Sequence, residues 1–586
     1  MKRITGIFLL LIFLTSCAAK DTETHSFPVH LALEQSEGYT ADRYTAQVQP
    51  GERVTFTLTP AEGYNLTTAQ GGDLQRSGGA YTLTVPAAKY SQTLSVEAVK
   101  SEVSITYHPN GGQGEEVSLP VLPTHLRLNT STGQDLFARP GCTLMGWNTA
   151  PDGSGTAVGL GSRVDWQPGL TLYAQWAAWT DADCFDWTEY GSGVMVTGYH
   201  GQDTTLTVPA EIEGKPVYAI GKNACAGAEC TTLILPPGLQ RVEENAFADS
   251  GVETVILSDD INSITDYAFS GCSNLRTLRV NAVEPPAYSG SYFSTFADKY
   301  DRLLSLRERR KLVLFSGSST RFGYDSPALE AGLEGYEVVN MGVFAYTSAT
   351  PQLLLILDCM GEGDILLHSP EFDAAQRQFC TRADLEDHFW AMMEANYDMA
   401  TALDLHQVSS AFSGLSAYLS EKSAMEPKRY DLSPADFDED GNPVSTPSYN
   451  AYGDYCLYRP NAAEDAPVYG LGVDYTVAAF PKAQYIDSLN RMYQRFLDQG
   501  VQVFFTYAPR NREAISEDST RSARKALDQW FRDNLNVPVI SDIEESLYPG
   551  RYLSGTDNHL STEGVAIRSR RILDDLHRAM EQEGAP

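Results

Sequence analysis

The chain has 586 residues, a formal charge of −33, and 42% hydrophobic against 20% charged residues. This length exceeds one hydrophobic core, so roughly three to five domains are expected. The apolar content excludes a disordered chain. The acidic balance argues against nucleic acid, because a polyanion gains nothing from an acidic surface.

Lys2 and Arg3 precede the apolar run 7–14, which Thr15, Ser16 and Cys17 follow. A short basic start and an apolar core too short to span a bilayer describe an export signal over residues 1–16. Leu14-Thr15-Ser16-Cys17 resembles a bacterial lipobox. The resemblance implies cleavage before Cys17, lipidation of Cys17, and an anchored protein on the extracellular face of a bacterial membrane. The alternative is an ordinary signal cut near Ala18 or Ala19. More than one acyl chain on Cys17 would anchor stably. No later run approaches eighteen apolar residues, so the chain is read as anchored rather than spanning. Eight cysteines remain, at 142, 184, 225, 230, 272, 359, 380 and 456, without a CxxC or Cys/His cluster. No metal or other cofactor is therefore expected.

Residues 17–27 read as a linker. Residues 28–100 alternate apolar and polar positions, as in Val54-Thr55-Phe56-Thr57-Leu58 and Tyr81-Thr82-Leu83-Thr84-Val85. That period predicts a small all-β module. Gly51-Glu52-Arg53-Val54-Thr55 and Pro60-Ala61-Glu62-Gly63-Tyr64 look like a divergent internalin-type B-repeat.

Residues 101–178 open on Ile105-Thr106-Tyr107-His108-Pro109-Asn110-Gly111-Gly112 and close on Leu172-Tyr173-Ala174-Gln175-Trp176. Between them lies Pro140-Gly141-Cys142-Thr143-Leu144-Met145-Gly146-Trp147. This order resembles the Listeria–Bacteroides repeat, a β-grasp-like surface module. Trp147 and Trp176 are read as core anchors rather than ligand platforms.

Residues 179–285 repeat. Val242-Glu243-Glu244-Asn245-Ala246-Phe247 and Ile264-Thr265-Asp266-Tyr267-Ala268-Phe269 are one 22-residue period apart. Each unit supplies a short strand and an Ala-Phe plug that only a stacked neighbour can bury. The pattern resembles BspA-like leucine-rich repeats, in about three units, with binding of a surface protein or host ligand and a spacer role both open. Residues 286–310 read as a linker and a short helix.

From Lys311 apolar strands alternate with amphipathic helices, which predicts a parallel sheet with crossover helices over 311–586. The strands expected are Lys311-Leu312-Val313-Leu314-Phe315, Tyr336 to Asn340, Asp364 to His368, Val501 to Tyr507, and Val537-Pro538-Val539-Ile540. Residues of about 381–475 are expected as an insertion over the rim, where a lid would sit. In such sheets ligands bind beyond the carboxyl ends of the strands.

There stand Gly317-Ser318-Ser319, Asn340-Met341-Gly342 and, late in the chain, Asp557-Asn558-His559-Leu560-Ser561. The ordered set resembles the SGNH (GDSL-like) hydrolase superfamily, implying an α/β/α, flavodoxin-like domain. Carried over, the resemblance makes Ser319 the nucleophile and His559 the general base, with the N–H groups of Ser319 and Gly342 as oxyanion donors. The chain departs from the pattern at two places. The third strand ends His368-Ser369-Pro370-Glu371 without an Asn, and Thr556 stands three residues before His559 where an acid is usual. Asp557 is the local candidate to orient His559, with Asp542 as a distant one. Glu371 either aids catalysis or binds a neighbouring backbone group.

The expected activity is a serine esterase or O-acyltransferase acting on extracellular glycans or other esters. The alternative is a non-catalytic adhesion protein carrying a decayed hydrolase domain.

Overall fold

The computed structural model describes residues 29–583, leaving out 425–448 and several shorter internal stretches. Cys17 and the segment expected to be its signal lie outside the described residues. Among the described residues no helix is long and apolar enough to cross a membrane. All eight described cysteines are free thiols.

Two small β modules come first. In one, Val29–Leu33, Thr45–Val48, Tyr64–Gln70 and Gln92–Lys100 form one four-stranded sheet, and Tyr39–Ala41, Val54–Pro60, Asp73–Ser77 and Ala80–Val85 form another. Both contribute to a core holding Leu31, Phe56, Leu58, Leu83 and Leu94. The period of two delivers those residues to one face, since successive strand side chains point to opposite sides. In the next module Ser104–His108 pairs in parallel with Thr171–Ala178, which pairs with Cys142–Asn148. Trp147 is buried there, its ring 4.8 Å from Tyr107, while Trp176 donates its indole N–H to the Pro109 carbonyl at 3.0 Å.

The repeat region stacks Thr205–Thr207, Thr232–Ile234, Thr254–Ser258 and Thr277–Asn281 as a parallel ladder. The ladder thus has four rungs where about three units were expected, because the first strand lacks the Ala-Phe plug that marks later units. Phe247 and Phe269 stack at 5.4 Å between turns, which buries the plugs only through their neighbours.

In the C-terminal region Glu337–Asn340, Lys311–Phe315, Ile365–His368 and Gln502–Phe505 lie side by side in that order, all parallel. Leu312, Leu314, Ile365 and Leu367 face one layer with Leu329 of helix Ser326–Gly332 and Ile572 and Leu576 of helix Thr562–Glu583. Val313, Phe315, Leu366 and Phe505 face the other, with Leu303, Leu353, Tyr493 and Phe531. Helices therefore cover both faces. The stretch Val537–Ile540 is no full strand: it joins the sheet through one parallel bridge, Phe505 to Val539.

Two helices of the insertion go different ways: Glu386, at the start of helix Asp387–Met393, accepts the Ser348 N–H at 2.6 Å in the loop beyond the second strand, whereas the last helix meets the repeats. Helix Ala411–Ala424 buries Phe412, Leu415, Tyr418 and Leu419, and Phe412 stacks on Phe269 of the repeats at 4.5 Å. Lys422 Nζ lies 2.7 Å from Asp259 and 3.5 Å from Glu394. Trp390 of helix Asp387–Met393 also donates its indole N–H to the Ala411 carbonyl at 3.1 Å, so helix Ala411–Ala424 joins the repeats to the C-terminal region. Residues 449–456 do return to the rim: the Tyr455 N–H donates to the Arg321 carbonyl at 3.0 Å, and Asp454 accepts from Asn340 Nδ2 at 2.7 Å.

Candidate active site

The register aligns Phe315 with His368 and His368 with Phe505, which brings the carboxyl ends of the strands to one rim. Just beyond Phe315 the chain turns at Gly317 into one helical turn, Ser318–Arg321. A Cβ on Gly317 would overlap Ala345 and stand 2.7 Å from Glu371 Oε1. The turn therefore requires glycine for close approach.

His559 approaches this turn from the segment before helix Thr562–Glu583, and its Nε2 lies 2.8 Å from the hydroxyl of Ser318. Ser319, expected as the nucleophile, is elsewhere. It is 0% exposed, and its backbone N–H donates to Glu371 Oε1 at 2.9 Å. Consecutive residues of a helical turn diverge by about 100°, so two adjacent serines cannot both face one imidazole. Ser318 is half-buried and Ser319 is sealed.

The expected oxyanion donors are also engaged. The Gly342 N–H donates to Asn340 Oδ1 at 3.0 Å, and its carbonyl accepts from the buried Lys299 Nζ. A Cβ there would stand 2.6 Å from the Arg321 nitrogen and 2.7 Å from Thr320 Cβ. Gly342 is thus a packing residue against the serine turn rather than a donor aimed at substrate. Asn340 completes that contact by donating to the Thr320 carbonyl at 3.0 Å.

Neither candidate acid orients His559. Asp557 accepts from Asn511 Nδ2 at 2.9 Å, and Asp542 caps the next turn by accepting from the Glu544 N–H at 2.8 Å. Thr556, at the position where an acid was sought, accepts the His559 backbone N–H at 3.0 Å. Among the described residues no carboxylate is hydrogen-bonded to the imidazole. Its ring packs on Phe322 at 4.2 Å. Burial, then the cations Arg459 and Arg321, push its pKa down to about 3. Arg459 is placed by its Nη2 donating to the Phe322 carbonyl at 2.8 Å, with its guanidinium 4.8 Å from the Phe322 ring centre.

The third strand supplies Glu371, which is buried and accepts from two sides: Ser319 N–H on Oε1 and Asn558 Nδ2 on Oε2, the latter at 2.7 Å. Burial pushes its carboxyl up from the ordinary range, and those two donors pull it back. Sequence reasoning missed Ser318, Asn558, Arg459 and Arg321. Only Ser318 carried a signal, as the other serine of the pair.

Residues 206–293 match the model for the BspA type leucine rich repeat region in six copies. A putative membrane protein of Evansella cellulosilytica is 30% identical over 152 residues, 23% of this chain and 22% of that protein. The chain therefore spans about a fifth of that relative's length. A leucine rich repeat protein of T. pallidum, solved as a crystal structure, shares 16% identity at a TM-score of 0.13 over 17% of this chain and 71% of that one. Over residues 206–293, then, the chain carries leucine-rich repeats of the BspA type.

Proposed function

We propose that the C-terminal domain is an SGNH-type serine hydrolase cleaving carboxylic esters, with Ser318 as nucleophile and His559 as base. The observation that carries this reading is the 2.8 Å contact of Ser318 Oγ with His559 Nε2 at the carboxyl rim of a parallel sheet. His559 takes the Ser318 proton as Oγ attacks the acyl carbon, then returns it to the departing alcohol. Water repeats the sequence on the acyl-serine and releases the acid. Burial, with the positive charges of Arg459 and Arg321, keeps the imidazole neutral, and those charges favour the negative charge that develops on the carbonyl oxygen. The Ser318 N–H, which has no acceptor among the described residues, is a donor available to that oxygen. The export signal and lipobox read in the sequence support a substrate outside the cell, such as an esterified glycan. Transfer to a second alcohol instead of water uses the same steps.

A fluorophosphonate probe and an aryl acetate test this on the full chain. Wild-type protein and Ser319→Ala should be labelled and turn over ester, whereas Ser318→Ala and His559→Ala should not. Labelling that survives Ser318→Ala would overturn the assignment.

A second reading is a non-catalytic surface protein with a decayed hydrolase domain. It is favoured by the engaged N–H groups of Ser319 and Gly342 and by the lack, among the described residues, of an acid on His559. The absence of any labelling of the wild-type chain would decide for it.

A further inference from the structure

We propose that Glu371 is a positioning residue that holds the nucleophile turn and the histidine segment at their working separation. This deepens the hydrolase reading and rests on it. Ser318 and His559 are 241 residues apart and belong to different elements. Glu371 accepts from the residue that follows the serine, through the Ser319 N–H at 2.9 Å, and from the residue that precedes the histidine, through Asn558 Nδ2 at 2.7 Å. One carboxylate, 4% exposed and three residues beyond the third strand, therefore spans both halves of the pair. Asn558 is itself steadied, because its Oδ1 accepts from the Thr556 hydroxyl at 3.0 Å. Gly317 makes room for the arrangement, since a Cβ there would crowd Glu371 Oε1.

The pattern explains the unusual third-strand ending His368-Ser369-Pro370-Glu371. That ending turns an acceptor toward the chain's own Ser319 N–H and Asn558 amide. Both donors are buried or half-buried, so removing the acceptor leaves polar groups unpaired and the two segments free to drift. A displacement of about 1 Å at the reacting atoms can cost about 10²-fold in rate.

The test uses the full chain, an aryl acetate and the fluorophosphonate probe. Glu371→Gln retains one acceptor but turns an amide N–H2 against one of the two donors. It should lower kcat and the labelling rate by about 10²-fold with KM nearly unchanged. The paired variant Glu371→Gln with Asn558→Asp exchanges donor and acceptor across the same contact, and most of the lost kcat should return.

Equal rates in wild type and Glu371→Gln would overturn the positioning role while leaving the hydrolase reading standing. A paired variant that melts like the wild type yet stays as slow as Glu371→Gln would also overturn it, since the carboxylate would then be needed at that atom for itself. If the wild type neither labels nor turns over, the hydrolase reading falls and this inference with it.

Discussion

Ser318 and Ser319 occupy successive positions of one helical turn, and only the first meets an imidazole. That imidazole sits among groups that disfavour its charge. Burial and two neighbouring guanidinium groups bring His559 to about 3, while burial alone does the same to His368, whose Nδ1 lies 2.7 Å from the Tyr493 hydroxyl.

A histidine near 3 is a neutral, proton-accepting base throughout the neutral range. The acid limb of kcat/KM for an uncharged ester is therefore expected near pH 3, well below the ordinary histidine value of about 6.5. A limb near 6 would refute this environment for His559. The linked stability effect has a definite sign. Both histidines bind a proton more readily in the unfolded chain, so folding stability falls as pH drops from about 6.5 toward 3. Replacing His559 by Gln should flatten the decline in Tm over that range, which thermal melts at a series of pH values would measure.

At the scale of the elements, the strand ends and the loops beyond them place the pair. Gly342, one residue past Met341 after the second strand, lets that loop lie against the serine turn. Gly342→Ala would put a methyl carbon 2.6 Å from the Arg321 nitrogen, where backbone must give way. Overpacking of this kind costs about 1–3 kcal/mol. Urea denaturation should show that loss, together with slower labelling of Ser318 as its turn is displaced. An unchanged midpoint and labelling rate would mean that the loop yields without moving the turn.

Tyr455, Arg459 and Asp454 support the site from the opposite side. Ser326 donates to Asp454 through both its N–H and its hydroxyl, at 2.8 and 2.7 Å. Burial raises the Asp454 carboxyl, and these donors together with Asn340 Nδ2 lower it.

For the whole molecule, the repeats and the C-terminal region share one apolar core through the insertion. Phe412 stacks on Phe269, and Lys422 reaches Asp259 and Glu394 in a buried cluster that also holds Tyr397 and Tyr418. Asp259 additionally accepts the N–H groups of Val283 and Glu284, so the end of the repeat array is tied into the same cluster. Removing the cation from a buried pair leaves uncompensated charge. Lys422→Ala should therefore destabilise by about 3–5 kcal/mol in chemical denaturation. A loss below about 1 kcal/mol would show that repeats and C-terminal region are held independently of this contact. The helical insertion thus covers part of the array, and any partner of the repeats meets the faces that remain.

The sequence by itself determined the elements, because their signals are local. Alternation marked the β modules, a 22-residue period marked the repeats, and apolar runs between amphipathic helices marked the parallel sheet. It also placed Ser319, Gly342 and Glu371 on one rim, since strand ends in a parallel sheet share a side. Tertiary structure decided what depends on rotation about a turn and on partners distant in the chain. It selected Ser318 over Ser319, gave Gly342 a packing role, and directed Asp557 toward Asn511. It also set helix Ala411–Ala424 of the insertion against the repeats. Hydrophobic period specifies which face of an element is buried, but leaves open which distant surface buries it or where one polar atom finds its partner.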